Sequence, residues 1–301
     1  MKIQHIALAT LVAAIWGLSF VVVAIGLRGC PPLLLAALRF VIVFAAGVTF
    51  LRRPKLPFGL YLRTGLCLGV IQFGCLFFAI QLGVPAGIVS VLVQMQVFIT
   101  LLFSGIFLRE TSTSAQKFMM VLALLGVLLL GYARYHAMLQ LAPVALALLG
   151  AAGFAWGNIE LKRAGKVDMF AFTVWFSIVP PIPLLLLSLM TEGGPIGLAN
   201  AFRNLTWTSA LALLFLALVG TLFSLGAWGK LMSLYPASLV APFSLISPVF
   251  GMLGGWLVLN EHYDAISIAA SGLIVIALAG NIYAVGSRQN AAANRKPRPV
   301  I

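Results

Sequence analysis

Residues 69–110, GVIQFGCLFFAIQLGVPAGIVSVLVQMQVFITLLFSGIFLRE, overlay residues 220–261, GTLFSLGAWGKLMSLYPASLVAPFSLISPVFGMLGGWLVLNE, without a gap at a shift of 151. The overlay pairs Gly69 with Gly220, Pro85-Ala86 with Pro236-Ala237, Val89 with Val240, Leu102 with Leu253, Leu108 with Leu259 and Glu110 with Glu261. Nearer the start of each half, Trp16-Gly17 has a counterpart in Trp156-Gly157, and Arg39-Phe40 has one in Trp175-Phe176. In stretches this apolar a few identities carry little weight. Their common order along both halves points to an internal duplication.

The repeat sits in a chain built for lipid. Of 301 residues, 62% are apolar and 8% charged, against roughly 25% charged in a soluble domain. So few charges cannot cover a water-facing surface, which argues against a soluble enzyme, a nucleic-acid module and a disordered chain. A helix needs about 20 apolar residues to cross the hydrocarbon layer. Charges, Pro and Gly divide the chain into ten such stretches, near 5–26, 32–50, 64–82, 86–107 and 115–132, then 141–161, 168–190, 207–229, 238–258 and 264–285. Runs such as Val121–Leu130 do not alternate, so barrel strands are a poor alternative. The expected fold is an all-α polytopic membrane protein: repeats over 1–134 and 138–285, then a basic cytoplasmic tail over 286–301. Connections are read as short. Five spans per half is an odd number, so the second repeat enters from the opposite side. That gives ten transmembrane helices in a 5+5 inverted repeat, a plan in which the substrate site lies between the lobes.

The net charge of +13 is explained by topology. With the N-terminus inside, 15 of the 19 Lys and Arg fall in cytoplasmic segments, and only Arg28, Arg134 and Arg203 fall outside. This asymmetry is the positive-inside pattern. It places both termini in the cytoplasm and removes nucleic acid as a partner. The stretch 6–26 is long for a signal-peptide core, and Arg28 fits badly before a cleavage site at Cys30. The three cysteines have no metal or disulfide spacing.

Ten spans in this order, with Trp16-Gly17, Arg39-Phe40, Pro85-Ala86-Gly87, Arg109-Glu110, Ala241-Pro242 through Pro248, and Glu261, resemble the EamA branch of the drug/metabolite transporters. Pro31-Pro32-Leu33, Gln72-Phe73, Gln94 with Gln96, and Gly157-Asn158-Ile159 resemble its O-acetylserine/cysteine exporters. The resemblance implies export of small metabolites across the inner membrane. It also implies a cavity lined by spans 1–4 and 6–9, with spans 5 and 10 peripheral.

Polar residues inside spans are costly, and they supply the candidate substrate contacts. Arg39, in span 2, reads either as a two-pronged donor for a substrate carboxylate or as a brace bonded to carbonyls or glutamines. Gln72, Gln94 and Gln96 fall near the midplane. Gln94 and Gln96 stand about 200° apart on a continuous helix, so at least one is expected to join helices instead of facing the cavity. Trp16, Trp156 and Trp228 lie away from the span ends, and the symmetry of Trp16 and Trp156 suggests cavity walls. Asn158 follows Trp156. Ser244, Ser247 and Pro248 mark a kink or interruption in span 9. Glu160 reads as an interfacial ion pair or a mouth carboxylate, and Glu110 and Glu261 as structural groups at span ends.

No catalytic motif is present, and no cofactor or metal is expected. The reading is alternating-access export of amino acids or related metabolites, with a small molecule and the lipid bilayer as partners. Broad drug or polyamine efflux, which would need Glu160 in the cavity, is the alternative. A membrane assembly subunit and an intramembrane enzyme are more distant ones.

Overall fold

The computed structural model describes residues 1–82, 92–110, 113–133 and 141–259, with scattered positions between 265 and 283. Pro85-Ala86, Ser112, Glu261, the tail 286–301 and part of the tenth expected span lie outside the described residues. Every regular element among the described residues is helical. Six helices or helix pairs are long and apolar enough to cross a membrane: Ile3–Val23, Phe58–Leu76, Ala142–Arg163, Met169–Thr191, Trp207–Leu234 and Ala237–Val258. Shorter apolar helices cover Pro32–Gly47, Met95–Leu108, Lys117–Gly126 and Ile268–Ala277. Large apolar side chains, among them Leu102, Ile106, Leu125, Ile182 and Leu186, point outward. In water such a surface would aggregate; against acyl chains it is the solvated face.

Helix starts follow local chemistry. Pro32 and Pro181 open their helices, where the missing N–H has no intrahelical partner to lose. Asp168 accepts hydrogen bonds from the N–H groups of Phe170 and Ala171 at 2.9 and 3.2 Å. Glu192 caps a helix distant in sequence, accepting from the N–H groups of Leu33 at 2.7 Å and Leu34 at 3.2 Å.

The helices pack in a reciprocal pattern. Ile3–Gly26 makes its largest contact with Ser247–Leu259, and Leu141–Arg163 makes its largest with Met95–Leu108. Pro32–Gly47 packs on Pro181–Thr191. Small residues permit the close approaches. A Cβ on Gly17 would press into the Ser247 carbonyl oxygen and come within 2.7 Å of Phe250 Cβ, and one on Gly157 would overlap Leu68.

Several spans depart from a plain α-helix, among them spans 3, 8 and 9. Leu66–Ile71 and Leu216–Phe223 are π-helical, at positions that coincide under the 151-residue shift. In the second of these, Thr221 Oγ1 donates to the Leu216 carbonyl and Ser224 Oγ to that of Val219, each at 2.8 Å, so side chains reach carbonyls five residues back. Of the two readings of span 9, a kink or an interruption, the structure has the interruption: the span runs as an α-turn over Ala237–Val240, a 3-10 segment over Ala241–Ile246 and a fresh α-helix from Ser247. Pro248 therefore sits in a first turn, where it costs no hydrogen bond, and the interruption falls on the residues around Pro242. The connection after Thr191 is also not a plain loop. Left-handed Gly193 and Gly194, with φ of 90° and 64°, lead into a helix over Gly194–Arg203 with an exposed apolar edge at Ile196 and Phe202.

Two outcomes follow. Gly17→Leu overfills the contact with Ser247–Leu259, a class of change costing about 1–3 kcal/mol. It should lower the melting temperature in detergent, whereas Gly272→Ala, with open space around its Cβ, should not. Cys30 lies between the first two helices; burial, then the Glu192 carboxylate, pushes its thiol up to about 12. Because only the thiolate reacts, Cys30 should resist maleimide through pH 9 in the folded protein and react once it is denatured.

Candidate substrate cavity

A cavity of about 140 Å³ lies where the halves meet, lined by residues from both. Seven of the ten sequence-based candidates line it: Trp16, Arg39, Gln72, Gln94, Gln96, Ser244 and Ser247. Phe73, Phe154, Gly220, Thr221 and Leu225 complete much of the wall. Phe73 follows Gln72, and Gly220 and Thr221 belong to the second π-helical segment. No sequence signal announces a π-helix, and these residues were not anticipated.

Arg39 is 8% exposed. Its guanidinium carbon lies 3.8 Å from the centre of the Phe73 ring and 5.3 Å from that of Phe40. Nε and Nη2 are buried without a hydrogen-bond partner. The brace reading required bonds to carbonyls or glutamines, and those two atoms make none. A cation–π contact offers about 2 kcal/mol when desolvated. That falls short of the roughly 2.5–3.5 kcal/mol for placing a charge mid-membrane plus the penalty on each unmet donor.

Gln94 and Gln96 both reach the cavity. The helix begins at Met95, so the angular separation expected of a continuous helix does not apply to Gln94. Gln94 Oε1 and Ser247 Oγ are also buried without a partner. Gln96 is engaged: its Nε2 donates to Ser244 Oγ at 2.6 Å, and its Oε1 accepts from Asn158 Nδ2 at 3.4 Å.

Asn158 and Trp228 stand behind the wall. Trp228 Nε1 donates to Asn158 Oδ1 at 2.9 Å, and its ring lies 4.9 Å from Trp16, centre to centre. Trp156 does not share the position of its repeat partner Trp16. Its N–H donates to Glu160 Oε1 at 3.1 Å, and its ring packs edge-on against Phe107 at 5.0 Å and Phe103 at 5.5 Å. The local carboxylate draws the indole away from the cavity.

The carboxylates are occupied elsewhere. Glu160, fully buried, pairs with Arg163 at 2.9 Å and Arg63 at 3.2 Å. Glu110 pairs with Lys162 and accepts from the Ala237 N–H at 2.8 Å, so it caps a helix of the other half instead of the span that follows it. Lys162 also donates to the Tyr235 carbonyl at 2.8 Å. Among the described residues, no Asp or Glu lines the cavity and no His, Cys, Asp or Glu cluster could hold a metal ion.

The family model for the EamA-like transporter family matches residues 4–132 and 141–283. A probable amino-acid metabolite efflux pump of Salmonella typhimurium is 36% identical over 290 residues, covering 94% of this chain and 96% of that protein. A protein of the same description from Escherichia coli K12 is 34% identical, over 94% and 96% of the two chains. A crystal structure 18% identical in sequence superposes with a TM-score of 0.77, over 93% of this chain and 99% of its own, and so shares the fold.

Proposed function

We propose that this chain, which belongs to the EamA-like transporter family, exports amino acids or closely related small metabolites through the cavity between its halves. One observation carries the reading. Every buried polar side-chain atom left without a partner among the described residues belongs to Arg39, Gln94 or Ser247, all on the cavity wall. Buried polar groups are normally satisfied, so exceptions gathered on one surface mark the place of a ligand. Arg39 offers unmet N–H donors in the fork that suits a carboxylate. The size agrees, since a cavity of roughly 150 Å³ admits benzene. The 140 Å³ here suits a molecule of cysteine's size and excludes bulky drugs in this conformation.

The mechanism is alternating access by ten spans in two inverted lobes, with both termini cytoplasmic. Reciprocal packing, π-helical segments at repeat-equivalent positions and two separate family matches support the duplication; the odd number of spans per half and the basic-residue asymmetry support the inversion and the orientation. Polyamine efflux is disfavoured because Glu160 is consumed by Arg63 and Arg163, away from the wall. The Glu110–Lys162 pair joins the end of the Met95–Leu108 helix to Leu141–Arg163, and with the bonds of Glu110 to the Ala237 N–H and of Lys162 to the Tyr235 carbonyl it would hold the cytoplasmic end together. In the cell the protein is placed in the inner membrane.

Proteoliposome counterflow of L-cysteine and O-acetyl-L-serine tests the assignment. Arg39→Lys keeps the charge but loses the fork and the stack on Phe73. It should raise KM for both about tenfold without lowering the amount of folded protein. Unchanged KM, or no counterflow by the parent protein, contradicts the reading.

A further inference from the structure

We propose that Trp228, which does not line the cavity, fixes the direction of a hydrogen-bond relay that leaves the wall presenting acceptors to a substrate ammonium. The inference rests on the export reading above and adds which end of the substrate the relay recognises.

An indole N–H can only donate. Because Trp228 donates to Asn158 at 2.9 Å, the atom of Asn158 that meets it is the carbonyl oxygen. The amide nitrogen of Asn158 is then turned to Gln96 Oε1 at 3.4 Å and Thr100 Oγ1 at 3.1 Å. With its oxygen so engaged, Gln96 directs its own nitrogen at Ser244 Oγ, 2.6 Å away. Ser244 has one proton, and it goes to the Ala241 carbonyl at 2.8 Å. Each amide orientation follows from the donor-only indole at the head of the chain. All the side chains of the relay are buried, and its links cross between four separate helical segments.

The consequence appears at the cavity. Ser244 lines it with its proton committed inward, so only a lone pair remains to offer. Gln94 Oε1, unpartnered on the same wall, is a second acceptor. An ammonium has three N–H donors and no lone pair, and it is the group this part of the wall can hold. Arg39 supplies donors alone. A wall with separate donor and acceptor regions matches a free α-amino acid, whose ends are a carboxylate and an ammonium. Without the indole donor, the Asn158 and Gln96 amides can turn over, and Ser244 is free to point its proton at the substrate.

The test compares L-cysteine with N-acetyl-L-cysteine, which lacks the ammonium, in proteoliposomes of the full chain. The parent protein should prefer cysteine at least tenfold in kcat/KM. Trp228→Phe should lose about tenfold of that ratio through a higher cysteine KM, with N-acetylcysteine unchanged or better. Trp228 is deep in the core, so Ser244→Ala, a small change at the far end of the relay, serves as the second variant and decides the matter if Trp228→Phe does not fold. A ratio retained in the folded variants, or both substrates falling in proportion, overturns the relay. A parent protein that moves cysteine without preferring it also overturns the relay and leaves the export reading standing. A parent protein that moves neither overturns both.

Discussion

Hydrocarbon offers no hydrogen-bond partner, so a polar group buried in a membrane protein must be met by the protein itself. This constraint orders the molecule from backbone to site. The backbone is met by helices. Hydroxyls are met by the carbonyl four residues back, as in Thr64 to Leu60 and Thr173 to Met169, both at 2.8 Å. Glu160 is met by two arginines and an indole. Among the described residues, the atoms of Arg39, Gln94 and Ser247 that escape this rule stand out against otherwise satisfied buried side chains, and they share one cavity.

The backbone is irregular where that cavity forms. Gln72 follows one π-helical segment, Gly220 and Thr221 belong to the other, and Ser244 sits on the 3-10 turn of span 9. π-bulges recur at functional sites, and half-broken helices at membrane depth are tolerated where they line a cavity.

Much of the architecture could be read from apolar run lengths, because span length is set by bilayer thickness and not by packing detail. Arg39 and the glutamines were legible for a related reason: a costly group inside a span needs a purpose. What escaped the sequence depended on partners distant along the chain. Glu110 reads as a structural group at a span end, but its partner Ala237 is 127 residues away, and no local spacing points to it. Trp156 seemed equivalent to Trp16 by repeat position, yet Glu160 one turn later holds its indole. The π-helical segments have no residue signature, and the Pro195 that starts the Gly194–Arg203 helix reads equally well as a loop proline.

The account turns on two lobes of opposite orientation enclosing one cavity, and sidedness is its most direct measure. With Cys30, Cys67 and Cys75 replaced, single cysteines at Arg109 and Asn260 mark the ends of repeat-equivalent spans. A membrane-impermeant maleimide should reach position 260 in intact cells, and position 109 only in inverted vesicles. Labelling of both positions from the same side would contradict the inverted arrangement.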